Sequence, residues 1–183
     1  YCNLRCSYCD TDYSFHEGAD MSIKQILKKI KEYNCNLVEI TGGEPLLQKE
    51  CIDLMKILLE KKYQVMLETG GSLPIKEVPK EVIKIVDFKC PTSKMHKKNE
   101  WSIVEDLQEH DEIKFVVGNY EDYKWSKNKI NAYNLNHKNI LLSPVHDVLE
   151  PKVLSEWILN DGLKVRVQLQ LHKYIWDANT KGV

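Results

Sequence analysis

The chain has 183 residues, a formal net charge of −1 and a hydrophobic content of 43%. That length supports one full-sized domain with its own core, and the near-neutral charge offers no basic field to draw nucleic acid. No apolar run is long enough to cross a bilayer, so neither nucleic acid nor a membrane is an expected partner.

The chain opens Tyr1-Cys2-Asn3-Leu4-Arg5-Cys6-Ser7-Tyr8-Cys9-Asp10-Thr11, with three cysteines at C-x-x-x-C-x-x-C spacing. Such a loop can turn three thiolates towards one point, and soft sulfur ligands select iron–sulfur clusters or zinc. A four-iron cluster commonly takes four cysteines, so three leave one metal position open. A closed zinc site needs a fourth ligand, and the sequence holds no second C-x-x-C pair and no closely spaced histidine pair. Cys35, Cys51 and Cys90 are scattered, which argues against a disulfide framework and for a reducing cytoplasm. The first residue is Tyr1, directly against a ligand cysteine, so the sequence reads as a piece of a longer product.

Downstream, Ser22 and Gln25 form a capping box that starts a helix. Ile23, Ile26, Leu27 and Ile30 give it one apolar face, and Lys24, Lys28, Lys29 and Lys31 its wet one. Leu37 to Thr41 reads as a strand ended by Gly42-Gly43. A helix follows from Cys51 to Lys61, then a strand from Gln64 to Glu68 ended by Gly70-Gly71. Ile83 to Lys89 is strand-like and stops at Cys90-Pro91-Thr92-Ser93, and the polar stretch from Met95 to Gln108 carries no clear period. Glu112 to Val117 is a strand, Glu121 to Asn131 a helix, and Asn139 to Ser143 a strand stopped by Pro144. Pro151 to Leu159 opens a helix with proline in its first turn, closed by Asp161-Gly162, and Val165 to Leu171 is the last strand. Strands alternating with helices predict an α/β fold with a parallel sheet, open or closed into a barrel. Function in such folds collects at the carboxyl ends of the strands.

Those ends carry the informative residues. In Thr41-Gly42-Gly43-Glu44-Pro45 the glycines permit close backbone approach to a ligand, and Glu44 can accept from a ligand ammonium; a Gly-Gly pair at a strand end is also a common plain turn. Thr11 can cap the turn after it or serve Mg²⁺, for which a lone hydroxyl is a poor ligand without a carboxylate or a substrate oxygen. Glu68 reads either as an acid bonded to a neighbouring amide or as a ligand contact at the mouth. Cys90 reads as an inert buried thiol. Lys89 and Lys114 could face the interior, where an unpaired charge is costly, so a carboxylate such as Asp87, Glu68 or a ligand acid is expected beside them.

Taken together, the cysteine loop and the Gly42-Gly43-Glu44-Pro45 motif resemble the radical S-adenosylmethionine (SAM) superfamily. Asp10-Thr11, the run Thr41 to Gln48, Glu68-Thr69-Gly70-Gly71 and the terminal Leu169-Gln170-Leu171-His172-Lys173 narrow the likeness to the 7-carboxy-7-deazaguanine synthase family of the queuosine-type pathway, which feeds tRNA modification. The resemblance implies a single radical SAM domain over 1–183, folded as a partial (β/α) barrel whose N-terminal strand is missing from this sequence. It implies a 4Fe–4S cluster on Cys2, Cys6 and Cys9, Mg²⁺ at Thr11, SAM against Tyr8, Asp10, Gly43, Glu44, Glu68 and Ser93, and substrate at Thr41 and His172. The implied enzyme is a lyase: a radical generated from SAM takes a hydrogen from 6-carboxy-5,6,7,8-tetrahydropterin, whose ring contracts with loss of ammonia. A flavodoxin- or ferredoxin-type reductant, a cytoplasmic setting and a homodimer are implied with it. The sequence departs from the family in having Tyr1 where glycine usually precedes the first ligand cysteine. Two other readings share the three cysteines: a radical SAM activase acting on a partner protein, which gives Asp10-Thr11 and His172 no purpose, and a non-catalytic metal-binding module, which leaves Gly42-Gly43-Glu44 unexplained.

Overall fold

The computed structural model describes residues 1–16, 18–177 and 180–181. Six strands form one parallel sheet in sequential order: β1 (Leu37–Ile40), β2 (Gln64–Thr69), β3 (Ile83–Asp87), β4 (Glu112–Val117), β5 (Asn139–Pro144) and β6 (Arg166–Val167). Each strand adds beside the one before it, so the order never reverses. This is the progression of a barrel wall, and it stays open, with β1 paired to β2 and β6 to β5.

The helices that matter to the core are α1 (Ile23–Lys31), α2 (Cys51–Glu60), α4 (Tyr120–Ala132) and α5 (Pro151–Asn160); α3 (Ile103–Asp106) and α6 (His172–Ile175) are single turns. Alternation along the strands decides which face these helices cover. Val65 and Leu67 of β2, Val86 of β3, Ile113 and Phe115 of β4 and Ile140 and Leu142 of β5 share one buried cluster with Met55, Leu58, Tyr123, Ile130, Leu154 and Ile158 of the helices. The expected capping box is present: the Ser22 hydroxyl accepts from the Gln25 N–H at 3.4 Å, and the Gln25 side chain accepts from the Ser22 N–H at 2.8 Å. Among the described residues no helix is long and apolar enough to cross a membrane.

The opposite, concave face is polar. Successive strands place Glu68, Asp87 and Lys114 on it, since Asp87 is the register partner of Lys114 and Glu68 that of Ile85, two residues before Asp87. The polar stretch after β3 resolves into a 3-10 turn at His96–Lys98 and the short α3. Its Trp101 stacks on Phe88 with ring centroids 4.4 Å apart and on Tyr133 at 4.3 Å.

The last strand departs from expectation. Only Arg166 and Val167 pair with β5, and His172 opens α6 instead of ending a strand. The Leu142 carbonyl accepts from the N–H of Gln168, the residue just after β6, at 3.0 Å. The next β5 residue on that side is Pro144, which has no N–H to continue the ladder.

Candidate active site

The cysteine loop is seated on the carboxyl ends of the strands by backbone and small polar groups. The Glu44 N–H donates to the Tyr1 carbonyl at 2.8 Å, and the Ser7 N–H to the Ser93 carbonyl at 3.1 Å. The Ser7 hydroxyl donates to the Thr92 carbonyl at 2.6 Å, and the Tyr8 phenol reaches across to the Val116 carbonyl of β4 at 3.4 Å. Leu4, buried to 2% exposure, plugs the loop from beneath. Arg5 folds back onto the carbonyls of Cys2 and Leu4 at 2.7 and 2.6 Å, with its guanidinium 4.1 Å from the centre of the Phe15 ring.

Glycine is required where the loop meets β1. A Cβ on Gly43 would lie 2.4 Å from the Tyr1 carbonyl oxygen and 3.0 Å from Cys2 Cβ. Glu44, expected to face a ligand ammonium, is turned inward at 1% exposure. It accepts from the Leu46 N–H at 3.1 Å, the Thr69 hydroxyl at 2.8 Å and the Gly70 N–H at 2.8 Å. Its carboxylate therefore ties the ends of β1 and β2 together. Ser93 is likewise buried, donating to the Cys90 carbonyl at 2.6 Å, so its side chain closes the Pro91–Ser93 turn while its carbonyl faces the cysteine loop.

Below the loop lie the paired charges anticipated at Lys89 and Lys114. Lys89 donates to Asp87 at 2.7 Å and Lys114 to Glu68 at 2.7 Å. Burial alone would lower both ammonium pKa values; Asp87 and Glu68 outweigh it and hold both lysines above their ordinary range. At the edge of this set, burial and the Glu68 charge push Glu39 upward. Burial pushes the Cys6 thiol up to about 11, partly offset by Lys89, and burial raises the Tyr8 phenol as well.

The remaining expected residues fall around this centre. Thr41 is exposed just beyond β1. Thr11 lies with its hydroxyl 3.7 Å from Cys9 Sγ. Asp10 accepts from Gln170 at 2.7 Å and pairs with Lys173 at 3.1 Å, which brings the segment bearing His172 to the cysteine loop. Sequence reasoning passed over Asp122, fully buried, which accepts from the N–H groups of Thr92 at 3.0 Å and Gly118 at 2.9 Å and so fixes the turn beneath Ser7. The available signal was Asn119, three residues ahead, which caps α4 by accepting from the Asp122 N–H at 2.9 Å.

The donor set fits an iron–sulfur cluster in kind. All six cysteines are free thiols, and Cys2, Cys6 and Cys9 are half-buried on one loop. The Leu4 N–H points at Cys2 Sγ at 3.4 Å, a contact that favours a ligand thiolate. Among the described residues, no three His, Cys, Asp or Glu side chains already converge at metal-binding distance.

A parallel α/β sheet carrying a three-cysteine loop above a polar concave face defines a radical SAM protein. A sequence profile described as the radical SAM superfamily matches residues 1–88. The chain is 39% identical to the 7-carboxy-7-deazaguanine synthase of Koribacter versatilis, covering all of this chain and 88% of that protein. It is 40% identical to the synthase of Chlorobaculum tepidum, covering 100% and 84%. The chain belongs to the 7-carboxy-7-deazaguanine synthase family. In fold it is similar to QueE from Escherichia coli, with a TM-score of 0.70 and 18% identity over 91% of this chain and 81% of that one. It is also similar to Streptococcus suis SuiB bound to S-adenosylmethionine, with a TM-score of 0.63 and 16% identity over 93% and 45%.

Proposed function

We propose that this chain is a radical SAM lyase that converts 6-carboxy-5,6,7,8-tetrahydropterin to 7-carboxy-7-deazaguanine with loss of ammonia. The observation that carries the reading is the 39% and 40% identity, across the whole of this chain, to named synthases, combined with a cysteine loop held over the strand ends by Gly43, Glu44 and Ser93. When bound, a reduced 4Fe–4S cluster and SAM supply the one-electron cleavage that starts radical chemistry on the substrate.

The protein's own work is to bind, orient and exclude. Cys2, Cys6 and Cys9 would hold the cluster. The backbone at Gly43 and Ser93, with Tyr8, Asp10 and Glu68, borders SAM, while Thr41 and His172 border the pterin. Glu44 acts by positioning, through the strand ends it joins. Thr11 would hold Mg²⁺ only with help from a further oxygen ligand, since one hydroxyl is too weak to hold the ion alone. Arg5 on Phe15 and the Gln170–Asp10–Lys173 contacts close the rim against water and oxygen. The whole chain acts as one domain, served by a flavodoxin- or ferredoxin-type reductant in the cytoplasm, with a homodimer as its assembled state.

The test is anaerobic reconstitution with iron and sulfide, then dithionite, SAM and the carboxypterin. The expected product is 7-carboxy-7-deazaguanine, lost in Cys6→Ala. SAM cleavage without that product overturns the substrate assignment, and undiminished turnover by Cys6→Ala overturns the radical SAM reading.

A further inference from the structure

Four carboxylates are buried in the described part of the chain: Glu44, Asp87, Asp111 and Asp122. Three of them have both oxygens engaged. Glu44 is held by Leu46, Thr69 and Gly70; Asp111 by Lys84 and Gln108; Asp122 by Thr92 and Gly118. Asp87 differs. Its Oδ2 takes Lys89 at 2.7 Å, while its Oδ1 is buried without a hydrogen-bond partner in a residue only 7% exposed. A buried acceptor with no donor is costly; among the described residues Ser14 Oγ, His96 Nδ1 and Gln168 Oε1 are also buried without a partner, but Asp87 is the one buried carboxylate left so.

Position on the sheet places the buried, unpartnered oxygen beside the site. Asp87 ends β3, in the middle of the sheet, and shares the concave face with its register partner Lys114 and with Lys89 two residues on. Glu68, Asp87, Lys89 and Lys114 carry two charges of each sign and cancel. The Oδ1 atom therefore suits a neutral N–H donor and has no need of a further cation, which disfavours the SAM ammonium. A carboxylate only accepts; of the tetrahydropterin's donors, N5–H and N8–H flank the reduced ring that undergoes contraction, whereas N3–H and the 2-amino group lie on the amino-pyrimidine edge away from the reacting carbon.

We propose that Asp87 is a substrate-recognition residue whose Oδ1 accepts a hydrogen bond from the 2-amino group of the pterin. The proposal rests on the functional reading above. It makes the face opposite the cysteine loop the part of the site that distinguishes 2-aminopterins from other bicyclic nitrogen heterocycles, because an analogue lacking the amino group leaves the buried oxygen unpaired.

The test uses the full chain loaded with cluster and SAM, held unreduced so that no turnover occurs. Equilibrium binding is measured for 6-carboxytetrahydropterin and for its 2-deamino analogue, with wild type and Asp87→Asn; in the variant Lys89 claims the amide oxygen and the amide NH₂ faces the ligand donor. Wild type should bind the analogue at least tenfold more weakly than the parent. Asp87→Asn should lose at least tenfold for the parent, discriminate the two ligands less than threefold, and bind SAM as wild type does. Equal binding of the two ligands by wild type overturns the proposal, and that arm needs no variant. Penalties that simply multiply also overturn it, as does a loss of SAM affinity in Asp87→Asn that exceeds the loss for the pterin. In each of these cases wild type still converts the carboxypterin after reduction. Wild type that cleaves SAM but neither binds nor converts the carboxypterin instead refutes the functional reading, and the proposal falls with it.

Discussion

Gly43→Ala is the sharpest probe of how the cysteine loop is seated. The added methyl would stand 2.4 Å from the Tyr1 carbonyl oxygen, 2.8 Å from its carbonyl carbon and 3.0 Å from Cys2 Cβ. Two of these atoms are backbone, so no rotamer change relieves the clash and the loop must lift. Lifting it breaks the 2.8 Å bond from the Glu44 N–H to Tyr1. Overpacking costs about 1–3 kcal/mol and the lost bond about 1 kcal/mol, for a total of about 2–4 kcal/mol. For a domain of this size that corresponds to a melting-point drop of roughly 4–16 °C. The displaced residue is the first cluster ligand, so iron and sulfide per chain after reconstitution should fall together with the charge-transfer absorbance. Gly42→Ala is the control: at φ +132° it strains the backbone, but its Cβ would meet nothing within 4 Å, so it should lose stability while keeping its cluster. Wild-type melting and wild-type iron content in Gly43→Ala would refute the reasoning.

Three further outcomes follow from buried groups. Glu44→Gln keeps the shape but sets an NH₂ against the donors of Thr69 and Gly70; it should cost about 2–3 kcal/mol, measured by urea unfolding, with the loss appearing even in cluster-free protein. Asp111→Ala strands Lys84, whose side chain is 3% exposed, and the N–H groups of Lys84 in β3 and of Gln108 in the turn before β4. It should cost about 3–5 kcal/mol yet leave turnover per loaded cluster unchanged, because it lies at the end of the sheet away from the site. Burial pushes the Cys51 thiol from 9.0 up to about 11. Its folded pKa is raised, so the reactive thiolate is withheld through the window between those values and appears only as pH rises past it. At pH 8 its thiolate fraction is about 100-fold below that of an ordinary cysteine. Iodoacetamide should therefore label the exposed Cys35 at least that much faster, as read by peptide mass spectrometry, and equal rates would contradict the burial.

Local signals in the chain were enough to define most of the elements. The Ser22–Gln25 capping box, the alternation in Glu112–Val117 and Pro151 at a helix start act over a few residues, and each element stands within a residue or two of its expected bounds. The three-cysteine spacing and Gly42-Gly43-Glu44 were legible for the same reason. What sequence could not decide was where side chains point once strands lie side by side. Glu44 reads in sequence as a ligand contact, and only the paired strands show that its carboxylate also takes the Thr69 hydroxyl and the Gly70 N–H beside β2. The strand expected through Leu171 stops at Val167 because of Pro144 on a different strand. Lys114 meets Glu68 from 46 residues away, and Asp10 meets Gln170 from 160. Asp87 looks like any acid closing a strand; only the finished sheet buries it and leaves one of its oxygens without a hydrogen-bond partner. Short-range patterns thus set the elements and the donor chemistry by themselves, whereas which polar atoms are spent within the protein and which are left for a ligand depends on contacts that close only when distant strands pair.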